Sequence, residues 1–239
     1  MSAEILSIET PARFQRAVRR AAELLRAGQL VALPTETVYG LAASAWNEEA
    51  VRRIFEVKGR PAGNPIIVHV ASLDMARRCV TDWPAAADKL AAAFWPGPLT
   101  LVLPRSKEIP SLVTAGGPTV GVRWPAHPLI QAVILACGFP LAAPSANRSS
   151  RLSPTTAEHV RKSLGSRIPL IIDGGPAPVG IESSVLDLAS TPARLLRPGM
   201  ISLQSFQALM GAGAVEIAAG ATGIKRSPGL WRRHYSPNA

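Results

Sequence analysis

Short apolar runs alternate along the chain with longer segments of helical periodicity, and this alternation constrains the fold more than any other feature. The runs that predict strands span residues 29–33, 66–70, 99–103, 120–124, 141–143, 170–172, 184–188, 194–197 and 215–218. The segments that predict helices span residues 11–28, 47–59, 72–80, 84–94, 128–137, 155–165 and 202–211. Such alternation is typical of an α/β layered domain. Several connections are too short for a parallel crossover, so we expect a mixed sheet.

Capping signals mark where several of these helices begin. Thr10 is a good N-cap and is followed by Pro11, a residue that suits the first helical position. Asn47 precedes two glutamates, which the helix dipole favours in a first turn. The sequence from Thr155 to Glu158 has the spacing of a capping box. These local signals predict helix starts at residues 11, 48 and 156.

The composition indicates a globular protein with a basic surface. Apolar residues make up 47% of the chain and charged residues 18%, which excludes a disordered chain. The net charge of +10 permits anionic partners, but the arginines are scattered in the manner of solvated helix faces. Cys79 and Cys137 lie in apolar helical segments, so we expect buried free thiols in a reducing compartment. Because the sequence shows neither a signal peptide nor a membrane span, we expect a cytoplasmic protein with no membrane partner.

The pattern predicts one domain over residues 1–217, followed by a basic, Gly/Pro-rich tail over residues 218–239. No internal repeat is visible. The segment 34–41, which follows the first predicted strand, reads as a polar loop with three hydroxyl groups.

Polar side chains gather where the predicted strands begin or end. In open α/β sheets, ligands collect beyond strand ends. Cations together with hydroxyl and amide groups suit a phosphate-rich ligand. Neither a Walker A sequence nor a G-x-G-x-x-G sequence is present, which argues against an ordinary P-loop or Rossmann site. The side chains in question are those of Thr35, Thr37, Lys58, Arg60, Arg123, Ser145, Asn147 and Arg197.

Two of these features have a structural and a functional interpretation. The turn from Lys58 to Pro65 carries two cations, two glycines and two prolines, and it suits either a polyanion site or a plain helix end. His69 alternates with apolar neighbours in a strand, and by composition alone it is more typical of a satisfied core histidine than of a ligand. No Ser-His-Asp arrangement and no cluster of metal ligands is evident.

In combination, the motifs resemble those of one family over nearly the whole chain, from about residue 10 to residue 237. They look like the signatures of the YrdC/Sua5 family of L-threonylcarbamoyladenylate synthases. The family resemblance implies a YrdC-like twisted, open, mixed β-sheet flanked by helices, with a concave, positively charged site. The matching motifs are Pro34–Leu41, Lys58-Gly-Arg60, Asn64-Pro65, Pro96-Gly97-Pro98, Val122-Arg123, Pro144-Ser145-Ala146-Asn147 and Arg197-Pro198-Gly199.

The resemblance also implies a reaction. L-Threonine and bicarbonate or CO2 form N-carboxythreonine, whose carboxylate attacks the α-phosphorus of ATP. Pyrophosphate leaves, and threonylcarbamoyl-AMP is the product. Mg2+ would accompany ATP, with no metal ligand assigned in the chain. A partner transferase would move the threonylcarbamoyl group to N6 of adenosine 37 in tRNA.

Site residues follow from the same resemblance. Lys58 and Arg60 would be catalytic. The residues expected near ATP are Lys58, Arg60, Ala62, Thr119, Ser145, Asn147, Ser153, Arg197, His234 and Tyr235. The residues expected near L-threonine are Thr35, His69, Arg123, Ala143 and Ser183, with Ser184 as an alternative to Ser183. Under this interpretation Arg123 pairs with the amino-acid carboxylate, and His69 becomes a ligand rather than a core residue.

The tail resembles the linker of the longer Sua5 branch, which folds back over the active site and leads into a second domain. The sequence stops at Ala239, so either that second domain has been removed or the protein keeps the linker without it. Two other functions are compatible with parts of this pattern. One is a module that binds double-stranded RNA or tRNA without chemistry, which the net charge supports but which leaves Thr35, His69 and Arg123 without a role. The other is a carbamoyl-transfer domain like that of hydrogenase-maturation proteins, whose accessory zinc-finger and acylphosphatase segments are not seen in this sequence.

Overall fold

The computed structural model describes residues 2–218, over which eleven strands and seven α-helices alternate. The strands are β1 (Glu4–Ser7), β2 (Val31–Leu33), β3 (Gly40–Ser44), β4 (Val68–His69), β5 (Leu99–Pro104), β6 (Thr119–Arg123), β7 (Leu141–Ala142), β8 (Leu170–Asp173), β9 (Ser184–Asp187), β10 (Ala193–Arg197) and β11 (Val215–Ile217). The helices are α1 (Pro11–Arg26), α2 (Glu48–Lys58), α3 (Leu73–Arg78), α4 (Ala85–Phe94), α5 (Pro128–Cys137), α6 (Ala157–Leu164) and α7 (Leu203–Met210).

All eleven strands join one sheet, in the order β1-β8-β2-β3-β7-β4-β6-β5-β9-β10-β11. Parallel pairs, such as β4 with β6 and β5 with β9, occur beside antiparallel pairs, such as β2 with β3 and β9 with β10. The predicted mixed sheet is therefore confirmed. β11 pairs with β10 and forms one edge of the sheet within the described residues.

Alternating side chains of the strands build two cores, one on each face of the sheet. In β2, Val31 and Leu33 pack on the face covered by α1 and α5, whereas Ala32 packs on the face covered by α2, α4, α6 and α7. β8 follows the same rule, with Leu170 and Ile172 on the first face and Ile171 on the second. This period of two is the geometry of a strand buried on both sides.

The predicted helix starts agree with the observed caps in all but one case. The side chains of Thr10 and Asn47 accept hydrogen bonds from the backbone N–H groups of residues 13 and 50. In α6 the cap is Thr156, whose hydroxyl accepts from the backbone of His159, and not Thr155 as predicted. The predicted box does not form because, with Thr156 as the cap, Glu158 is the second helical residue and not the third. Glu158 instead pairs with Arg161 on the exposed helix face.

Two strands were missed in the sequence. β1 is half exposed and lacks an apolar run, although it pairs in parallel with β8. β3 consists of Gly-Leu-Ala-Ala-Ser and begins inside the segment predicted as a polar loop. It is fully buried between β2 and β7, so its conformation comes from sheet pairing rather than from strand-forming side chains. Conversely, the predicted strand 66–70 pairs as a strand only at Val68–His69.

Several other predictions have structural outcomes. Cys79 and Cys137 are buried free thiols, as expected. None of the helices within residues 2–218 is both long and apolar enough to cross a bilayer. The domain boundary at residue 217 stays a prediction. Of the predicted tail only Ala218 is described; residues 219–239, with His234 and Tyr235, lie outside the described residues.

Candidate active site

One cavity brings together most of the residues singled out in the sequence. Eight predicted site residues contribute to its lining, and the remainder of the lining comes from short loops beside the strand ends. Those eight are Thr35, Arg60, His69, Arg123, Ala143, Ser145, Ser183 and Arg197. The others that line it are Thr37, Val38, Gly40, Ile67, Pro144 and Glu182. Polar groups from widely separated segments therefore converge on one space.

Sheet pairing explains this convergence. His69 ends β4 and Arg123 ends β6, and the two residues are register partners in a parallel pair. Arg197 ends β10, which runs antiparallel to β9, so it lies where Ser183 leads into β9. The loop after β7 reaches the same space, because Gly40 forms an isolated bridge with Ser145.

The remaining predicted residues lie outside this lining. Ser153 lines a neighbouring cavity of about 560 Å³, together with Leu152, Ile181, Glu182 and Arg197. Thr119 begins β6 and faces Pro104 of β5 in the ladder, and Ala62 lies in the exposed turn that follows α2. Lys58 and Asn147 lie behind the cavity wall, in contact with each other.

Arg123 is held by three groups at the inner part of the cavity. Its Nη2 donates to Glu36 Oε1 at 2.6 Å, its Nη1 to Thr37 Oγ1 at 3.0 Å, and its Nε to the carbonyl oxygen of Gly97 at 3.2 Å. The side chains of Arg123 and Glu36 are 5% and 10% exposed, so their ion pair is buried. Burial lowers the pKa of the Arg123 guanidinium, and the charge of Glu36 opposes this shift.

Arg197, which lines the same cavity, is held in a similar way. Its Nε donates to the carbonyl oxygen of Ser183 at 3.0 Å, and its Nη2 donates to Ser183 Oγ at 3.1 Å. Its Nη1 donates to Glu182 Oε2 in a close ion pair. Ser153 Oγ donates to the other oxygen of Glu182 at 2.8 Å, and Ser183 Oγ lies 2.8 Å from Thr100 Oγ1.

Lys58 does not contribute to the lining, although its neighbour Arg60 does. Its ammonium group donates to the carbonyl oxygens of Ser145 and Asn147, each at 2.5 Å, and lies 3.3 Å from Asn147 Oδ1. The backbone of Ser149 also donates to the carbonyl oxygen of Lys58 at 2.9 Å. Burial, and secondly the charge of Arg60, hold the pKa of Lys58 well below its ordinary value.

Arg60 is oriented by its own turn. Its Nε donates to the carbonyl oxygen of Asn64 at 3.0 Å, and its Nη2 donates to that of Pro65 at 2.7 Å. The glycine at position 59 ends α2 in the left-handed region, with a φ of 59°, and its N–H returns to the helix. The turn from Lys58 to Pro65 thus combines the two interpretations given above: it ends a helix, and it points one arginine into the cavity.

His69 is buried with 4% exposure and lines the cavity. Burial, and secondly the charge of Arg123, lower its pKa to about 3, so the ring is neutral at physiological pH. Within residues 2–218 its Nδ1 atom makes no hydrogen bond of good geometry, although the backbone of Ile67 and Leu141 lies close enough to the ring to oppose part of the pKa shift. A buried polar atom without a partner is costly in a core, which favours the ligand interpretation over the core interpretation.

Glu36 and Glu182 were missed as site residues. Acidic side chains were not expected beside an anion, and their arginine partners are 87 and 15 positions away in sequence. One local signal could have found them: each glutamate is followed directly by a hydroxyl residue, and each pair lies within three residues of a strand. No group of three or more His, Cys, Asp or Glu side chains in the described part of the chain could hold a metal by itself.

Residues 23–199 match the Sua5/YciO/YrdC family, whose description is "Telomere recombination". The chain belongs to this family. The sequence is 47% identical to a threonylcarbamoyl-AMP synthase of Pyrococcus abyssi over 224 residues, which covers 93% of this chain and 66% of the relative. It is 33% identical to a putative threonylcarbamoyl-AMP synthase of Mycobacterium tuberculosis, covering 90% of this chain and 98% of the relative.

A solved Sua5/YrdC structure agrees with the fold described above. The crystal structure of P. abyssi Sua5 complexed with L-threonine superimposes with a TM-score of 0.95 at 44% identity, covering 99% of this chain and 70% of that one. The predicted YrdC-like twisted, open, mixed sheet flanked by helices is thereby confirmed. The chain spans 64–66% of the length of the synthases it matches in P. abyssi, Bacillus subtilis and Schizosaccharomyces pombe.

Proposed function

We propose that this chain condenses L-threonine, bicarbonate or CO2, and ATP into threonylcarbamoyl-AMP and pyrophosphate. The observation that carries the proposal is the single cavity that joins Arg60, Arg123 and Arg197 with the neutral His69 and a set of hydroxyl groups. The names of the relatives support the same reaction, because relatives 43–47% identical are threonylcarbamoyl-AMP synthases. A cavity with several fixed cations suits a reaction between two anionic groups.

The reaction divides into two steps. The unprotonated amino group of threonine attacks the carbon of CO2, forming an N–C bond and releasing a proton to give the carbamate. A carbamate oxygen then attacks the α-phosphorus of ATP, and the bond to the β-phosphate bridging oxygen breaks with loss of pyrophosphate. Such phosphoryl transfer needs positioning and charge stabilisation more than covalent help from the protein. Fixed arginines meet that need.

We assign the two substrates to different parts of the cavity. On the threonine side, Arg123 would pair with the carboxylate beside the register partner His69, with Thr35, Ala143 and Ser183 completing the site. On the ATP side, Arg60 and Arg197 would face phosphate oxygens, next to Ser145 and Ser153. The cavity shared by Arg197, Leu152 and Ile181 has an apolar wall that suits a flat base.

The other residues expected near ATP fall into two groups. Some would hold a loop of the cavity in place, and for the others the family resemblance is the only support. Lys58 and Asn147 would hold the loop that carries Ser145. Ala62 and Thr119 keep the role that the family resemblance implies. His234 and Tyr235 belong to the same expectation and lie outside the described residues.

Mg2+ fits this site as a companion of the ATP phosphates rather than as an ion held by the protein alone. Magnesium in nucleotide sites is bound by one or two carboxylates together with substrate phosphates and water. The carboxylate that lines this cavity, Glu182, already pairs with Arg197 and accepts from Ser153, so magnesium would be held by the phosphates and water. Bound in this way, magnesium would neutralise charge on the phosphates. The product would then pass to a transferase that modifies tRNA.

Pyrophosphate release from ATP tests the proposal with the purified chain. Release should require both L-threonine and bicarbonate, and mass spectrometry of the products should detect threonylcarbamoyl-AMP. Omitting either substrate serves as the matched control. Pyrophosphate release that ignores threonine would overturn the proposal. Tight binding of tRNA with no pyrophosphate release would favour the RNA-binding module instead.

A further inference from the structure

Arg123 and Arg197 are each held by the same three kinds of hydrogen-bond acceptor. Each guanidinium donates to one carboxylate, one hydroxyl and one backbone carbonyl oxygen. In each case the carboxylate and the hydroxyl come from adjacent residues, Glu36-Thr37 for one arginine and Glu182-Ser183 for the other. The two arrangements come from unrelated segments, yet both line one cavity.

The count of donors shows what each arrangement leaves available. A guanidinium carries five N–H groups, one on Nε and two on each Nη. At Arg123 and at Arg197, residues 2–218 accept one hydrogen bond from each of the three nitrogens. One N–H therefore remains on each Nη of both arginines. Two neighbouring N–H groups match the two oxygens of a carboxylate or phosphate.

Both ion pairs are buried, and each carboxylate therefore also restricts the motion of its arginine side chain. The side chains of Arg197 and Glu182 are 10% and 15% exposed, and those of Arg123 and Glu36 are buried to a similar extent. A guanidinium held by a carboxylate, a hydroxyl and a carbonyl group loses little freedom when a ligand binds. Pre-orientation of this kind lowers the entropic cost of forming the complex. A long, unpaired arginine side chain would lack this advantage.

We propose that Glu36 and Glu182 are positioning residues, and that each, with the hydroxyl residue after it, sets one arginine for a different anion. The inference rests on the proposed function. Glu36 would set Arg123 for the carboxylate of the amino acid, and Glu182 would set Arg197 for a phosphate of the nucleotide. Neither glutamate touches the reacting atoms; each acts through its arginine.

Two observations separate the two ligand sides. Arg123 is the register partner of His69 and bonds to Thr37, and it is not among the residues that line the cavity with the apolar wall. Arg197 lines the neighbouring cavity together with Leu152 and Ile181. Glu182 bonds to both Arg197 and Ser153, and Ser153 lines the same neighbouring cavity. The ligand affected by each glutamate should therefore differ, whereas two purely structural ion pairs would give no such division.

Calorimetric titration of the full chain with L-threonine, and separately with a non-hydrolysable ATP analogue and Mg2+, tests the division. In Glu36→Gln the Kd for L-threonine should rise at least about tenfold, because Arg123 loses the charge-assisted hydrogen bond that orients it, while the Kd for the analogue changes less than about twofold. Glu182→Gln should show the reverse. Glu158→Gln is the matched control, since Glu158 pairs with Arg161 and Lys162 on the exposed face of α6.

Folding is checked by thermal melts of every variant. Should Glu36→Gln or Glu182→Gln fail to fold, Glu36→Asp and Glu182→Asp replace them. Aspartate keeps the charge but moves it away from the arginine by one methylene. The same ligand should be affected in each case, with a smaller rise in Kd. Equal loss for both ligands, or no loss in folded variants of a wild type that binds both, would overturn the inference and leave the proposed function standing. A wild type that binds neither ligand would overturn the proposed function itself.

Discussion

The ammonium group of Lys58 donates to the backbone carbonyl oxygen of Asn147 across 2.5 Å, and so joins the end of α2 to the loop after β7. A second bond of 2.5 Å reaches the carbonyl oxygen of Ser145, and Lys58 itself is 2% exposed. Lys58, to which the family resemblance gives a catalytic role, thus fixes the loop that brings Ser145 to the cavity.

Replacing Lys58 by Met should therefore destabilise the fold as well as weaken nucleotide binding. Two carbonyl oxygens would lose a buried donor, for which we expect a loss of about 2–4 kcal/mol in the free energy of unfolding. Urea denaturation measures this loss. Lys89→Met, on the exposed face of α4, is the matched control and should change stability by less than about 0.5 kcal/mol. A Lys58→Met protein as stable as the wild type would show that the bonds to the loop contribute nothing.

Gly199→Ala should disturb the segment that presents Arg197. A Cβ at position 199 would lie 2.5 Å from the backbone nitrogen of Ser184 and 2.8 Å from the carbonyl oxygen of Glu182, and neither backbone atom can move away cheaply. We expect a loss of at least about 2 kcal/mol in stability together with weaker binding of the ATP analogue.

Gly138→Ala is the control for this change. Gly138 ends α5 with a φ of 77° and has open space where a Cβ would lie. Alanine there should cost only about 1 kcal/mol from the left-handed backbone, with ligand binding unchanged. Comparable effects of both substitutions on ATP binding would indicate that close packing at Gly199 has no special influence on Arg197.

Much of the fold was predictable because its determinants are local. Thr10 and Asn47 cap helices through bonds to residues only three positions away, so their signals are complete in the sequence. β3 shows the opposite case. Its small residues carry no strand preference, and its pairing with β2 and β7 depends on contacts that span much of the chain. The strand conformation of β3 is therefore set by its pairing with neighbouring strands and not by local propensity.

The candidate site was predictable as a set of strand ends, but not as a set of contacts. The sequence indicated that Arg123 and Arg197 would lie near an anion, since both end strands. It could not indicate that Glu36 and Glu182 pair with them, because an acidic residue gains meaning only from the side chain it meets in space. The contacts of Lys58 could not be predicted either, because its partners are backbone carbonyl oxygens, which carry no sequence signal.

Thiol chemistry tests the buried state of both cysteines. Burial raises the pKa of Cys79 to about 12 and that of Cys137 to about 11, and the thiolate is the form that reacts. In mildly alkaline buffer the native protein should therefore react with Ellman's reagent only slowly. Both of its cysteines should react at once in guanidinium chloride. Cys137→Ala assigns any residual native reaction, since Cys137 is 8% exposed and Cys79 is fully buried. Rapid native labelling that persists in this variant would contradict the burial of Cys79.

His69 should make the fold sensitive to acid. Its pKa is about 3 in the folded protein and 6.5 in the unfolded chain. Above pH 6.5 the ring is neutral in both states and contributes no pH dependence. As the pH falls from 6.5 towards 3, the unfolded state binds a proton that the folded state does not, so stability falls. The slope from this one group approaches about 1.4 kcal/mol per pH unit inside that window.

The variant His69→Asn removes this group while keeping a polar side chain of similar reach. Urea denaturation of both proteins at several pH values should therefore give a shallower loss of stability in the variant between pH 6.5 and 3, with parallel curves above pH 6.5. His159→Asn is the control, because it makes the same exchange at an exposed position of α6. Parallel curves for wild type and His69→Asn through the acid range would mean that the imidazole takes up its proton in the folded state, and the neutral ring assigned to the threonine side of the cavity would then be wrong.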